Sequence, residues 1–200
     1  MFTGIIEEMA EVKSLQPEGS NLHITMGCSF ARELKVDQSI AHNGVCLTAV
    51  DVQNDRYTVT VIEESLQRSN LGKLEVGDQV NIERCMPANG RFDGHMVQGH
   101  VDTTAHCTSV EKKDGSWEFW FAYKPEENHI TVPKGSITIN GVSLTVVNSG
   151  DNEFSVAIIP YTYEHTNFKD LRSGSLVNLE FDIVGKYVAK LMQQREESYS

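Results

Sequence analysis

The chain has 200 residues, of which 40% are hydrophobic and 22% are charged, a composition typical of a globular protein. Its 17 Lys and Arg residues and 28 Asp and Glu residues give a net charge of −11 at pH 7. This charge argues against nucleic acid and membrane surfaces as partners, because both are bound through clustered basic side chains.

The N-terminal residues and the cysteines predict a cytoplasmic protein. Residues 1–8 have neither the basic region nor the long apolar stretch of a signal peptide, and no segment approaches the length of a membrane span. The cysteines (Cys28, Cys46, Cys85 and Cys107) show no close pairing, which favours reduced thiols over disulfides or a zinc site.

The first half of the chain is predicted to consist of short strands, with turns between them. Apolar residues alternate with polar ones, and β-branched or aromatic residues are frequent, at residues 5–15, 22–26, 39–50, 57–62 and 79–83. A turn is predicted at 17–21, and the segment 63–71 has room for a short helix. This pattern is typical of a small antiparallel barrel or sandwich.

A turn-rich linker at residues 86–94 precedes a second half with the same pattern, including a strand at 117–121. The tail is different. Ile183, Val184, Tyr187, Val188, Leu191 and Met192 have the spacing of an amphipathic helix. Its apolar face requires a partner, which is either the chain's own barrel or copies of the chain in an oligomer.

A ten-residue motif occurs twice and predicts a duplicated domain. Residues 39–48 (SIAHNGVCLT) and residues 136–145 (SITINGVSLT) match at seven positions at an offset of 97. Residues 3–6 lie opposite 98–101 at an offset of 95. The copies differ chemically, with Cys46 opposite Ser143 and His42 opposite Ile139. We therefore predict two domains, 1–92 and 93–182, and a helical tail at 183–200.

The chain resembles riboflavin synthase in a set of motifs that occur in the same order. They are MFTGI at residues 1–5, AHNGVCLT at 41–48, ESL at 64–66 with SNLG at 69–72, GHMVQGHVD at 94–102, and KG at 134–135 leading to NGVSLT at 140–145. The resemblance implies a mainly β fold of two tandem Greek-key barrels and a C-terminal helix. It also implies a cytoplasmic homotrimer held together by these helices, and leaves open docking on lumazine synthase.

The implied reaction is the dismutation of two molecules of 6,7-dimethyl-8-ribityllumazine to riboflavin and 5-amino-6-(D-ribitylamino)uracil. One molecule gives a four-carbon unit to the other, with no metal or organic cofactor. A zinc site formed by His95, His100 and His106 is also not expected, since spacings of five and six on a strand do not place three imidazoles on one face.

The resemblance implies two substrate-binding sites, each completed by the opening segment of the other repeat. The first site consists of Cys46, Leu47, Thr48, Thr60, Val61, Ile62, Glu63, Glu64, Ser65, Gly99, His100, Val101 and Lys134. The second site consists of Gly4, Ile5, Ile6, Ser143, Leu144, Thr145, Ile158, Ile159, Pro160, Tyr161, Thr162 and Tyr163. Each active site would form where the first barrel of one subunit faces the second barrel of its neighbour.

Three residues are the main catalytic candidates. His100 has Ile5 as its counterpart, and an imidazole is suited to acid–base chemistry on the acidic methyl group of one lumazine. Cys46 would add to the other lumazine or hydrogen-bond to it, and water is the alternative nucleophile. The alternative role for Cys46 is that of a buried thiol without a part in the reaction. Phe2 would cover a bound ring, or alternatively plug the core.

Ser39, Thr145 and Asp182 complete the catalytic set. The hydroxyls have identical counterparts in the other repeat, so turn or strand packing is the alternative role for both. Asp182 would assist proton transfer or cap the last helix. Asn140 stands where some members of the family have an acidic residue, and we expect a lower rate if that carboxylate takes part in the reaction.

A lumazine- or flavin-carrying accessory protein with the same duplicated barrel is the main competing function. A carrier has no reason to hold Cys46, His100, Ser143, Thr145 and Phe2 together, so their joint presence favours the enzyme. A flavin reductase domain would need a nicotinamide-binding half, and the chain has no G-x-G-x-x-G motif.

Overall fold

The protein is described by a computed structural model that covers residues 1–126 and 129–197. Within these ranges, two closed six-stranded antiparallel barrels are followed by one helix, which confirms the predicted fold class. The last three residues of the predicted tail lie outside the described part of the chain.

The first barrel consists of β1 (Glu8–Glu18), β2 (Asn21–Gly27), β3 (Ser39–His42), β4 (Val45–Val52), β5 (Arg56–Val61) and β6 (Gln79–Arg84). The second consists of β7 (Thr103–Lys113), β8 (Ser116–Tyr123), β9 (Ser136–Ile139), β10 (Val142–Ser149), β11 (Glu153–Ile158) and β12 (Leu176–Phe181). The α-helices are α1 (Glu63–Arg68), α2 (Pro160–His165) and α3 (Ile183–Glu197). A short 3-10 helix follows each of α1 and α2, and another, Ala31–Glu33, precedes β3.

Both barrels have Greek-key connections. The strands β3, β4 and β5 pair in sequence, and β6 returns to pair with the free edge of β3. The strands β9 to β12 repeat this arrangement. The predicted turn at 17–21 is wrong in extent, because Pro17 and Glu18 remain paired in β1 and the chain reverses only around Gly19, which has a positive φ of 61°.

Each barrel encloses its own core because strand residues alternate between the inside and the outside. In β8, Phe119, Phe121 and Tyr123 are buried and the intervening residues are more exposed. Phe168, after α2, meets Phe119 edge-to-face with the ring centroids 5.1 Å apart. Burial of each of these large side chains contributes about 1.5–3 kcal/mol, so each half has a substantial core of its own.

The two cores differ at one buried polar pair. In the first barrel, the Nδ1 of His42 donates to the carbonyl oxygen of Ile40 (3.1 Å), so its Nε2 accepts from the Tyr57 hydroxyl (2.7 Å). The second barrel has Ile139 and Phe154 at the equivalent positions. Burial lowers the pKa of His42 to about 4, and the imidazole is therefore neutral at pH 7.

Six asparagines join the barrels, and they form three pairs at the offset of 97. They are Asn43 and Asn140, Asn70 and Asn167, and Asn81 and Asn178. The bonds are reciprocal. The Asn81 side chain donates to the Asn140 carbonyl oxygen (2.9 Å), and the Asn178 side chain donates to that of Asn43 (2.8 Å). A network of buried amides with this many mutual bonds fixes the relative orientation of the barrels.

This network gives Asn140 a structural role, and the rate effect expected from the sequence stays a prediction. Its side-chain oxygen accepts from the backbone N–H of Asn178 (2.8 Å), and its φ of 46° places it in a tight turn before Gly141. An aspartate here would bring an unpaired charge into a buried site. The turns of the two repeats meet, since a Cβ on Gly44 would lie 2.9 Å from the nitrogen of Gly141.

The helix α3 extends beyond the second barrel, and its apolar side chains remain exposed. Tyr187 is 68% and Leu191 is 65% exposed. Lys186, on another face, forms an ion pair with Asp102 at 2.6 Å. The apolar face thus does not pack on the chain's own barrel. No helix in the described residues is long and apolar enough to cross a membrane.

Candidate functional site

Two cavities occupy equivalent positions on the two barrels. The first pocket has a volume of about 260 Å³ and is lined by Val45, Cys46, Glu64, Ser65, Arg68, Ser69, Gly99, His100 and Val101. The second pocket has a volume of about 410 Å³ and is lined by Ile5, Asp93, Gly94, Ser136, Ser143, Leu144, Thr145, Ala157, Ile158, Ile159 and Thr162. Each pocket combines one barrel with a segment that precedes the opening strand of the other barrel.

Equivalent backbone hydrogen bonds hold the two segments that precede the opening strands against the opposite barrels. The Cys46 N–H donates to the Gly99 carbonyl oxygen, and the Ser143 N–H donates to that of Gly4, both at 2.8 Å. The two glycines have φ values of 80° and 76°. A Cβ on Gly99 would lie 2.6 Å from the Cβ of Cys46. Glycine is therefore required by both the backbone conformation and the close approach of the strand.

Two buried carboxylates, which the sequence analysis missed, also hold these segments. Glu180 accepts hydrogen bonds from the backbone of residues 98–100, and Glu83 accepts from that of Thr3 and Gly4. Burial raises the pKa of both carboxyls, that of Glu180 to about 7. The two residues are 97 positions apart, so the repeat contained a signal that would have identified them.

The first pocket holds two of the three main catalytic candidates. His100 is exposed at the cavity and available to a ligand. Burial raises the pKa of the Cys46 thiol, and a hydrogen bond with Ser39 partly opposes this effect. Cys46 is therefore present as a neutral thiol at pH 7, which is a hydrogen-bond donor and a weaker nucleophile than a thiolate. Ser39 itself lines a neighbouring groove.

A histidine that the sequence analysis named only in the motif and in the rejected zinc cluster lies beside Ser143, which lines the second pocket. His95 lies with its Nδ1 2.7 Å from the hydroxyl of Ser143 and its Nε2 3.2 Å from that of Thr138. Burial lowers the pKa of His95, and the charge of Asp182 opposes this effect. Ser143, the counterpart of Cys46, is thus paired with a base, whereas Cys46 is not.

Other predicted residues lie elsewhere. The side chain of Phe2 is 0% exposed and packs against Ala41 and Val97, a position that fits the alternative role of a core residue behind the pocket wall. Lys134 is exposed on the second barrel and does not line the first pocket. Asp182 accepts from the Val184 N–H (3.0 Å), which is a helix-capping contact.

Among the predicted binding residues, some point away from the cavities. The side chains of Leu47 and Val61 are buried in the first core because strand residues alternate between faces. Six predicted residues outside the two cavity walls are chain neighbours of lining residues: Glu63, Gly4, Ile6, Pro160, Tyr161 and Tyr163. Thr48, Thr60 and Ile62 neither line one of these cavities nor adjoin a lining residue. No group of three or more potential metal-binding side chains occurs in residues 1–126 and 129–197.

The chain matches known proteins over nearly its whole length. A family model described as the lumazine binding domain matches twice, at residues 3–85 and 98–182. The chain is 39% identical to the riboflavin synthase of Bacillus amyloliquefaciens, with 100% of this chain and 94% of that protein covered. It is 40% identical to that of Actinobacillus pleuropneumoniae, with 98% and 91% covered.

Among solved structures, the fold is similar to that of LumP complexed with 6,7-dimethyl-8-(1'-D-ribityl)lumazine. The TM-score is 0.81 at 19% identity, with 90% of this chain and 98% of that chain covered. At this identity the likeness establishes the fold. The duplicated barrel, the paired pockets and the full-length relatives agree, and the chain belongs to the riboflavin synthase family of lumazine-binding-domain proteins.

Proposed function

We propose that the protein catalyses the dismutation of two molecules of 6,7-dimethyl-8-ribityllumazine to riboflavin and 5-amino-6-(D-ribitylamino)uracil. The observation that carries the proposal is the pair of equivalent pockets with different chemical groups. A reaction between two copies of one molecule needs two similar binding sites, and it needs one copy to act as donor and the other as acceptor. The two products together contain every atom of the two substrates, so no further reactant is required.

In the first pocket, His100 would take and return the proton of the acidic methyl group, since its imidazole is exposed to the cavity and histidine is the most common general acid–base. Cys46, as a neutral thiol, would donate a hydrogen bond to the bound ring. The role of nucleophile then stays open between Cys46 and water. In the second pocket, the Ser143 hydroxyl beside His95 would bind the other lumazine, together with Thr145. Phe2 would hold the first pocket's wall in place.

We further propose that the protein forms a homotrimer through α3, in which the first pocket of one subunit faces the second pocket of its neighbour. The exposed apolar face of α3 supports an oligomer, because water-exposed apolar patches of this kind are typical of interfaces. Holding the two substrates face to face would remove much of the entropic cost of joining them. The domain boundaries at 92 and 182, the cytoplasmic location and docking on lumazine synthase stay predictions.

The trimer is tested by light scattering on the purified protein, with an expected mass of three chains. Leu191→Glu places a charge on the apolar face of α3 and is expected to give single chains. Gln193→Glu places the same charge on the opposite side of the helix, since successive residues are separated by 100°, and is expected to remain trimeric. Equal behaviour of the two variants would contradict assembly through this face.

The catalytic proposal is tested with 6,7-dimethyl-8-ribityllumazine as the only added reactant and riboflavin absorbance as the readout. We expect turnover by the unaltered protein and a loss of about 10²–10⁴-fold in His100→Ala, the usual contribution of a general acid–base. His106→Ala is the matched control, because His106 is exposed and lines neither pocket. Tight binding of the lumazine without turnover would instead indicate a carrier.

A further inference from the structure

The carboxylate of Glu180 accepts hydrogen bonds from a segment outside its own sheet. Glu180 lies in β12, is 3% exposed, and pairs with Thr138 of β9. Its Oε1 accepts from the N–H of Gln98 (2.6 Å), and its Oε2 accepts from the N–H groups of Gly99 and His100 (both 2.9 Å). One side chain of the second barrel thus binds three consecutive N–H groups at the rim of the first pocket.

These three bonds hold residues 98–100 of a segment that has no regular secondary structure. Residues 98–102 belong to no strand, and a segment of this kind adopts one conformation only if its backbone groups find fixed partners. Hydrogen bonds to a carboxylate are stronger than those to a neutral acceptor, and they offset part of the cost of burying it. The strand β12 is paired on both sides, so the acceptor itself is rigid.

The restraint continues to Cys46. Gly99, whose N–H is bound by Glu180, accepts through its carbonyl oxygen from the Cys46 N–H (2.8 Å). A single carboxylate therefore fixes the backbone of His100 and, through one further hydrogen bond, that of Cys46. These two residues are the candidates for the chemistry in the first pocket.

The first barrel contains the reciprocal arrangement. Glu83 in β6 accepts from the backbone N–H groups of Thr3 (2.7 Å) and Gly4 (2.9 Å), and from the Thr3 hydroxyl (2.9 Å). The Gly4 carbonyl oxygen in turn accepts from the Ser143 N–H. Each barrel thus positions the segment that completes the pocket of the other barrel.

We infer that Glu180 is a positioning residue for His100 and Cys46 in the first pocket, and that Glu83 has the same role for Ser143 in the second. The inference deepens the proposed function and rests on it for the effect on turnover. Its structural part can be measured independently of turnover, because the hydrogen bonds of Glu180 lead to the Cys46 backbone through Gly99, whereas those of Glu83 lead to Ser143 through Gly4.

The experiment compares Glu180→Gln with Glu83→Gln in the full-length protein. The amide keeps the shape of the carboxyl group but replaces one acceptor oxygen with a donor, which faces backbone N–H groups. Iodoacetamide is added, and alkylation of Cys46 is followed by mass spectrometry with the exposed Cys85 as an internal reference. We expect several-fold faster alkylation of Cys46 in Glu180→Gln and a clearly smaller increase in Glu83→Gln.

Turnover is measured on the same samples. A displacement of about 1 Å in a catalytic group can reduce the rate about 10²-fold. We therefore expect kcat to fall at least tenfold in Glu180→Gln, with a smaller change in KM and partial recovery in Glu180→Asp, which restores the charge. If Glu180→Gln does not fold, Glu180→Asp takes its place in the alkylation comparison, with a smaller increase expected.

Two outcomes would overturn the inference. The first is an equal rate of Cys46 alkylation in Glu180→Gln and Glu83→Gln. The second is a decrease in kcat that is proportional to the decrease in melting temperature in both variants. A failure of the proposed function would be recognised separately, as absence of turnover in the unaltered protein, and the alkylation comparison would still decide whether Glu180 positions the first pocket.

Discussion

The buried pair of His42 and Tyr57 predicts that the stability of the first barrel decreases at acidic pH. Substitution of both residues should remove this decrease. The second barrel has isoleucine and phenylalanine at these positions, and both are buried there. The double variant His42→Ile, Tyr57→Phe therefore gives the first barrel a pair that the same fold already accommodates. Because both polar partners are replaced together, we expect little change in stability at pH 7.5.

The magnitude follows from the pKa of His42, which burial lowers from 6.5 to about 4. Between these values the unfolded chain binds a proton that the folded chain does not, so the stabilisation is present above pH 6.5 and is lost as pH falls towards 4. Each pH unit of this difference corresponds to about 1.36 kcal/mol. At pH 4.5 the unaltered protein should have lost about 2.5 kcal/mol that the double variant keeps.

The assay is urea unfolding at pH 7.5 and 4.5, followed by far-ultraviolet circular dichroism. Tryptophan fluorescence is unsuitable, because both tryptophans lie in the second barrel and report on that barrel alone. Acidic groups shared by the two proteins cancel in the difference between them. The single variant His42→Ile leaves the Tyr57 hydroxyl without its partner, so it should be less stable than the double variant by about 1–3 kcal/mol at both pH values. A difference between unaltered and double variant that is the same at both pH values would refute the reasoning.

Three further predictions concern the pockets and the junction between the barrels. Gly99→Ala should abolish most activity, because the new Cβ would collide with Cys46. The control Gly115→Ala has a similar φ of 75° and no atom within 4 Å of the new Cβ, so it should change only stability. Enzyme assays and melting temperatures separate the two effects. In the unaltered protein, Cys46 should be alkylated by iodoacetamide more slowly than the exposed Cys85 at pH 7, since burial raises its pKa, and mass spectrometry of the labelled peptides measures both rates. Asn81→Ala should lower the free energy of unfolding by about 2–4 kcal/mol, because it leaves several buried backbone and amide groups unpaired, and equal urea midpoints would contradict this role.

The strands, the duplication and the tail helix could be predicted from sequence because they depend on local periodicity and on internal similarity. The motif at residues 39–48 and its second copy also indicated where both pockets lie. The direction in which each strand side chain points was harder to predict from sequence. Leu47 and Val61 were predicted to bind a ligand but face the core, and their orientation depends on the register of the strands.

The polar contacts between the halves could not be predicted from periodicity. Asn140 stood out in the sequence only as a departure from an acidic residue, because its partners Asn178 and Asn70 are distant in the chain. Glu83 and Glu180 had the same difficulty, since a glutamate at the end of a strand is usually solvated. Comparing the two repeats for polar residues that coincide, as well as for those that differ, would have identified both sets.

The reciprocal asparagine bonds have the symmetry of an isologous interface, in which the same surface is used by both partners. One half of the chain carries a complete set of the donors and acceptors, in Asn43, Asn70 and Asn81, so the junction has the form of a dimer whose halves have been joined by a peptide link. In a true homodimer every substitution appears twice and the two pockets remain identical. Within a single chain this constraint is absent, so one pocket carries the thiol of Cys46 and the other the hydroxyl of Ser143 on one shared junction.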